Sequence, residues 1–430
     1  MGKALSKPRL MLRGTATPPG DKSISHRALI LAALAVGRSR IEGLNQGADV
    51  AATAAALRAM GTRIEPGADG ACTVDGVGVG GLLQPRERFD LGNSGTSARL
   101  LIGLVASHPI RAGFGGDASL SRRPMDRVAA PLRRIGARID GDTLPLAVEG
   151  LAPAIPARHR LGIPSAQVKS ALLLAALNTP GVTEIVEAAT TRDHLERLLA
   201  LFGAEIEVDG PRIALRGEAE LQPQNLRIAG DASAAAFLAV AALIVPGSEV
   251  RIEGVGVNPG RTGLFDVLRA MGGDIAFSNP RERCGEPVAD LVVRHSALAG
   301  IDVPPEIAPR MIDEYPILFV AAAFARGTTR THGLAELRLK ESDRIAAMAA
   351  GLAAAGVAAE ESEDGLAVHG SGGDPLPGGA PVDARRDHRV AMAFAVAGLH
   401  ARQEIGIADM AAADASYPGF LSALDGLRGA

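Results

Sequence analysis

The chain has 430 residues, 47% of them hydrophobic, and its 45 Lys plus Arg against 48 Asp plus Glu give a formal charge of −3. That length builds two cores of roughly 200 residues each, and the near-neutral balance excludes the bulk basic field that drives binding to nucleic acid or membrane surfaces. Two cysteines, Cys72 and Cys284, cannot build a disulfide framework, and no stretch reaches the roughly 18 apolar residues of a membrane span.

At Pro19 the segment PGDKSISHRALILAAL predicts a tight turn followed by a helix that is apolar all round, with Lys22, Ser23, His26 and Arg27 at its start. ALRAMGTRIE then reads as an amphipathic helix stopped by a left-handed glycine and followed by a strand. The same succession returns as LGNSGTSARLL with PLRRIGARID. It returns again as IPSAQVKSALLLAAL with RDHLERLLALFGAEIEV, where Leu195, Leu198, Leu199 and Phe202 fall at i, i+3, i+4 and i+7. Further on come IAGDASAAAFLAVAAL with VLRAMGGDIA, MIDEYPILFVAAAF and LKESDRIAAMAA with GLAAAGVAAE, and RRDHRVAMAFAV with FLSALDGLRGA. Six α/β copies are too large for a thin solenoid, so the expected fold class is α/β, two domains of three copies each.

In each copy a charged or hydroxyl-rich cluster sits at a helix start. Capping accounts for the hydroxyls and carboxylates. It does not account for Lys22, Arg27, Arg99, Lys169, Lys340, Arg344 and Arg389, because cations are unfavourable at the positive end of a helix dipole. An anionic partner should offset them, and exposed helix N–H groups plus Arg forks favour phosphate or carboxylate. Equivalent ends of similar units facing a common cleft would suit a small substrate with several anionic groups. Other motifs fall away. PPGDKS has Asp21 between Gly20 and Lys22, which breaks the phosphate-loop order; the nine histidines show no metal spacing; no GxSxG elbow occurs; and no Trp with two Tyr leaves few stacking platforms for single-stranded nucleic acid.

Together, PGDKSISHRALILAAL, DLGNSGTSARLL, GDASLSRRPMDRV, SAQVKS, MIDEYPI, LKESDR and DHRVAM resemble the motifs of the EPSP synthase family, in the family's order, and the variants look most like its class II. The resemblance implies a two-domain inside-out α/β barrel, each domain three βαβαββ repeats facing the other across a cleft. One domain spans 21–231 and lies on the shikimate-phosphate side; the other, of 1–20 and 232–430, carries the acid and base groups, with hinges near Gly20 and Gly230. It implies transfer of the enolpyruvyl group of phosphoenolpyruvate to the 5-hydroxyl of shikimate 3-phosphate. No cofactor, metal, nucleic acid or membrane partner is expected, and the expected state is a cytoplasmic monomer.

Carried over residue by residue, Asp313, Glu341 and Lys22 match the catalytic positions. Lys22, Ser23, Arg27, Ser165, Ala166, Gln167, Arg192, Asp313 and Lys340 match positions around shikimate 3-phosphate. Lys22, Gly95, Arg123, Gln167, Arg344 and Arg389 match positions around phosphoenolpyruvate, and Gly95 also matches the position that lines the glyphosate pocket. One feature departs: DASYPGF lacks the lysine many members carry near the last helix, and Arg122 is a candidate replacement. Two alternatives are a UDP-N-acetylglucosamine enolpyruvyl transferase, against which stands the absence of a cysteine in GDASLSRRPM, and a non-catalytic phosphate- or RNA-binding repeat protein.

Overall fold

Helices whose sequence is apolar all round are the ones the fold buries. The computed structural model describes residues 4–8, 11–67 and 69–427; parts of MGKALSKPRLML and the last three residues of FLSALDGLRGA lie outside them. The chain forms two units, the first of Gly20–Ala229 with Arg283–Glu286, the second of Met1–Pro19, Gly230–Glu282 and Pro287–Ala430.

The helices of the first unit are α1 (Lys22–Leu34), α2 (Ala48–Ala59), α3 (Gly95–Ala106), α4 (Asp126–Arg134), α5 (Ala166–Leu177) and α6 (His194–Leu201). α1, α3 and α5 are buried along their length, and their only incompletely buried residues are Ser23, then Thr96 and Arg99, then Ala166 and Gln167, all near the helix starts. α3 and α5 cross so closely at Gly103 that a Cβ there would lie 2.3 Å from the carbonyl oxygen of Ala171. The strands outside them alternate buried and exposed residues, as half-solvated sheets do. Phe89–Asp90 pairs in parallel with Arg111–Gly115, which pairs antiparallel with Leu146–Glu149, itself antiparallel to Arg138–Asp140. Arg158–Leu161, Val182–Glu187, Arg212–Arg216 and Ile206–Asp209 repeat this order. In the copy that contains α1, the first strand comes from the far end of the unit, Asn225–Arg227.

In the second unit, α7 (Ala232–Ile244), α8 (Gly263–Ala270), α9 (Ala308–Met311), α10 (Tyr315–Phe324), α11 (Arg344–Ala354), α12 (His388–Ala397) and α13 (Phe420–Gly426) follow. Every residue of α7, α10 and α12 is buried, and the three pack on one another as the core. The sixth copy is cut short: Ile405–Ala408 pairs in parallel with Val382–Asp383, and its antiparallel neighbour is the N-terminal strand Ala4–Ser6. Buried helices inside and half-solvated sheets outside make each unit an inside-out α/β barrel of βαβαββ copies.

In five copies of the repeated phrase Gly61, Gly136, Gly203, Gly272 and Gly356 have φ of +97°, +105°, +87°, +97° and +84°, the predicted left-handed stop, whereas in FLSALDGLRGA Gly426 is the last residue of α13 and is not left-handed. Gly20 and Gly230, at the unit boundaries, have a different reason for being glycine. A Cβ on Gly20 would lie 1.8 Å from the carbonyl oxygen of Gly43, and one on Gly230 would lie 2.8 Å from Pro18 Cγ. Asp21 and Asp231, the next residues, donate their N–H to the carbonyls of Ala229 and Pro19, each at 2.8 Å within its own unit. Among the described residues no helix is long and apolar enough to cross a membrane.

Candidate active site

In the first unit the polar residues gather at the starts of α1, α3 and α5. Asp21, rather than Ser23, caps α1, accepting the N–H of Ile24 at 2.9 Å. This frees the Ser23 side chain from capping, while its carbonyl accepts Arg27 Nη1 at 2.9 Å. Arg27 also donates through Nε and Nη2 to Ser170 Oγ at 3.2 and 2.8 Å, which ties α1 to the first turns of α5. Ser165 does cap α5, accepting the N–H of Val168 at 3.3 Å. Gln167 accepts Arg99 Nη1 at 3.2 Å and donates to Thr96 Oγ1 at 3.0 Å, so its amide is held against α3. Arg123 donates to the carbonyl and side chain of Asn93 and to Ser119 Oγ. Gly95 lies against these cations: a Cβ on it would meet Arg99 Nη1 at 2.8 Å and Arg123 Nη1 at 3.0 Å.

Lys22 Nζ donates to Asp49 Oδ2 at 2.9 Å, both side chains nearly buried. Asp49 stands in the first turn of α2, and its carbonyl accepts Ser97 Oγ from α3 at 3.1 Å. From Ser97 a hydroxyl chain runs through Thr53 to His26 Nδ1, each link 2.8 Å. Burial pushes the His26 pKa well below 6.5, aided by the charges of Lys22 and Arg27, so the ring is a neutral spacer. Arg192 and Ala166 are both half-buried, one just before α6 and one at the first position of α5. Arg122 is exposed at the end of the short turn Leu120–Arg122.

In the second unit Arg344 is the centre. It is the first residue of α11, its side chain only 1% exposed, and it reaches three carboxylates: Glu341 Oε2 at 2.5 Å, Asp387 Oδ2 at 2.8 Å and Asp313 Oδ1 at 3.5 Å. Burial opposes its charge, but Asp387, Glu341 and Asp313 outweigh burial and raise its pKa, so it remains a cation. Arg389 Nη2 stands 3.9 Å from Asp313 Oδ2. Asp313, Glu341, Arg344 and Arg389 are therefore one cluster, and Lys340 lies half-buried beside Glu341 in the chain. Asp313 does not cap α10; that position is Glu314, whose side chain turns inward to accept Ser233 Oγ, with Arg261 Nη2 4.0 Å away. Burial pushes the Glu314 pKa up, against the lowering effect of Arg261 and Arg389.

Two expectations change. Part of the anionic charge expected from a ligand is built into the protein: Asp49 for Lys22, Asp387 with Glu341 and Asp313 for Arg344, and Glu187 with Glu196 for Lys169. Lys169 thereby leaves the set of ligand-facing cations, because its side chain is 1% exposed and doubly paired. Lys22, by contrast, keeps its place at the site as an ion-paired lysine. Asp49, Asp387, Ser170 and Glu314 escaped sequence reading because an acid or hydroxyl near a helix start reads as a cap. Asp193, His194 and Glu286 also bring ligand-type atoms within 4.8 Å, yet His194 Nδ1 is bonded to Glu286 Oε1 at 2.6 Å and Asp193 to Arg197 at 2.8 Å. That group is a hydrogen-bonded cluster, invisible to spacing because Glu286 is far off in sequence.

A family model described as EPSP synthase (3-phosphoshikimate 1-carboxyvinyltransferase) matches residues 7–424. The chain belongs to the EPSP synthase family. The 3-phosphoshikimate 1-carboxyvinyltransferase of Sphingopyxis alaskensis is 59% identical over 429 residues, covering 97% of this chain and 96% of that one. Its counterpart in Novosphingobium aromaticivorans is 58% identical over 425 residues, covering 96% of each. The solved EPSP synthase of Acinetobacter baumannii superposes with a TM-score of 0.87 at 40% identity, over 99% of this chain and 98% of that one. The inside-out barrel built up above is thus the EPSP synthase fold.

Proposed function

We infer that the helix-start clusters of the two units hold the substrates and supply the acid and base of an enolpyruvyl transfer. The activity is that of the family: phosphoenolpyruvate and shikimate 3-phosphate give 5-enolpyruvylshikimate 3-phosphate and phosphate, on the route to chorismate and the aromatic amino acids. A proton is added to C3 of phosphoenolpyruvate as the 5-hydroxyl oxygen bonds to C2 and gives up its own proton. The adduct then loses phosphate with the C–O electron pair, and a methyl proton leaves to restore the double bond.

Asp313 accepts the hydroxyl proton in this reading. It is half-buried and held between Arg344 and Arg389, which orient its carboxylate. Glu341 and Lys22 act on C3 in this reading; Glu341 is paired with Arg344, and Lys22 with Asp49. Ser23, Arg27, Ser165, Ala166, Gln167, Arg192 and Lys340 bind shikimate 3-phosphate along with Lys22 and Asp313, Ala166 through its backbone alone. Gly95, Arg123, Gln167, Arg344 and Arg389 bind phosphoenolpyruvate with Lys22. Arginine and lysine neutralise both phosphates, so no metal step is invoked, and a cytoplasmic monomer suffices for the chemistry.

The observation that carries the reading is the cluster around Arg344, where the proposed base and acid share one buried guanidinium. Phosphate release is measured with phosphoenolpyruvate plus either shikimate 3-phosphate or UDP-N-acetylglucosamine. Release with the first acceptor alone is expected; release only with the second, or with neither, refutes the assignment.

A further inference from the structure

Lys169 has no part in the chemistry above, yet it is among the most completely enclosed charges in the first unit. Its Nζ donates to Glu187 Oε2 at 2.9 Å, contacts Glu196 Oε1 at 2.6 Å and reaches the carbonyl of Thr191 at 3.4 Å. Thr191 is held a second time, because its Oγ1 donates to Glu187 Oε1 at 2.5 Å. The side chains of Lys169, Glu187 and Glu196 are 1%, 2% and 4% exposed.

These four residues come from four places that must keep one arrangement. Lys169 is in the first turns of α5, two residues after Gln167; Glu187 ends the strand Val182–Glu187; Thr191 lies in the link that follows; and Glu196 is in the first turn of α6. Within that link Ala188, Ala189 and Thr190 are exposed, whereas Thr191 is anchored by both its carbonyl and its hydroxyl, and Arg192 comes next. A buried ammonium with two carboxylates costs a large desolvation penalty that an apolar trio of equal volume would avoid, so fixing geometry is the better account of it than stability.

We propose that Lys169 is a positioning residue for shikimate 3-phosphate, fixing the 188–193 link through Thr191 so that Arg192 and the first turn of α5, with Ser165, Ala166 and Gln167, form one rigid half-site. The proposal rests on the reading that these residues bind that substrate. Burial pushes the Glu196 pKa up against the pull of Lys169, and Glu196 Oε2 is buried with no hydrogen-bond partner among the described residues.

The test uses Thr191→Val, which keeps the shape of a half-buried side chain and removes only its hydroxyl, with Thr191→Ser as the conservative control and Lys169→Met as the stronger lesion. Thr191→Val should raise the KM for shikimate 3-phosphate about tenfold, with Thr191→Ser and the KM for phosphoenolpyruvate within about twofold of the parent. Lys169→Met, if it folds, should raise the same KM further. A lowered melting temperature with an unchanged KM for shikimate 3-phosphate in Thr191→Val would make the cluster purely structural and overturn the proposal. Arg27→Ala separates the two levels: if it too leaves that KM unchanged, the assignment of this unit to shikimate 3-phosphate fails; if it raises the KM while Thr191→Val does not, only the role of Lys169 falls.

Discussion

One carboxylate of Asp387 serves two elements: Oδ2 accepts Arg344 Nε at 2.8 Å, and Oδ1 accepts the N–H of Arg389 at 2.9 Å as the cap of α12. The two arginines assigned to phosphoenolpyruvate are thus registered by a single buried acid, one by its side chain and the other by its backbone. Asp387→Ala takes one of three carboxylate partners from the buried Arg344 and should destabilise the protein by about 1–3 kcal/mol. Asp387→Asn keeps a capping oxygen and loses the charge, so it should cost less in denaturant titration yet raise the KM for phosphoenolpyruvate about tenfold or more. An unchanged KM in a folded Asn variant would show that Arg344 needs no such support.

Gly95 is predicted to be a specificity position for a steric reason. An added methyl would stand 2.8 Å from Arg99 Nη1 and 3.0 Å from Arg123 Nη1, the far ends of two long side chains that must give way. Gly95→Ala should therefore fold, weaken glyphosate inhibition, and raise the KM for phosphoenolpyruvate by a smaller factor. Equal inhibition constants for parent and variant would refute the crowding argument.

The neutral, buried His26 predicts an acid limb in stability. Its folded pKa lies well below the ordinary 6.5, so below that pH the unfolded chain binds the extra proton. The stability it contributes is fully present above pH 6.5 and is lost as the pH falls below it, at up to about 1.4 kcal/mol per pH unit. Denaturant titrations at pH 7.5 and near pH 5.5 should show the loss, and His26→Gln should reduce its slope. His108 and His159 are shifted the same way by burial, so the difference between parent and variant is the quantity to read. Identical slopes would mean that His26 is charged, or solvated, in the folded state.

Neutralisation of both phosphates by arginine and lysine alone predicts that turnover survives exhaustive chelation. Loss of activity on chelation, restored by one specific ion, would overturn that account.

The architecture was legible in the sequence because its marks are local. A helix buried on all sides must be apolar on all sides, and a helix stopped by a left-handed residue asks for glycine, so α1, α3, α5, α7, α10 and α12 announced themselves, as did Gly61 and its counterparts. The strands that complete copies from elsewhere in the chain, Asn225–Arg227, Arg13–Ala16 and Ala4–Ser6, carry no such mark, because strand pairing at long range leaves no pattern in a short segment. At the site, the cations stood out since they run against the helix dipole. Their partners did not: Asp49, Glu187, Glu196 and Asp387 look like ordinary caps or surface acids until the fold sets them within 3 Å of Lys22, Lys169 and Arg344. That the cap of α1 is Asp21, two residues before Ser23, also emerges only from the coordinates.

The most direct test of the central claim is the turnover of Asp313→Ala in phosphate release from shikimate 3-phosphate and phosphoenolpyruvate, measured alongside substrate binding. The account predicts a fall of at least about a hundredfold with substrate affinity largely retained. Near-normal turnover in that variant would contradict it.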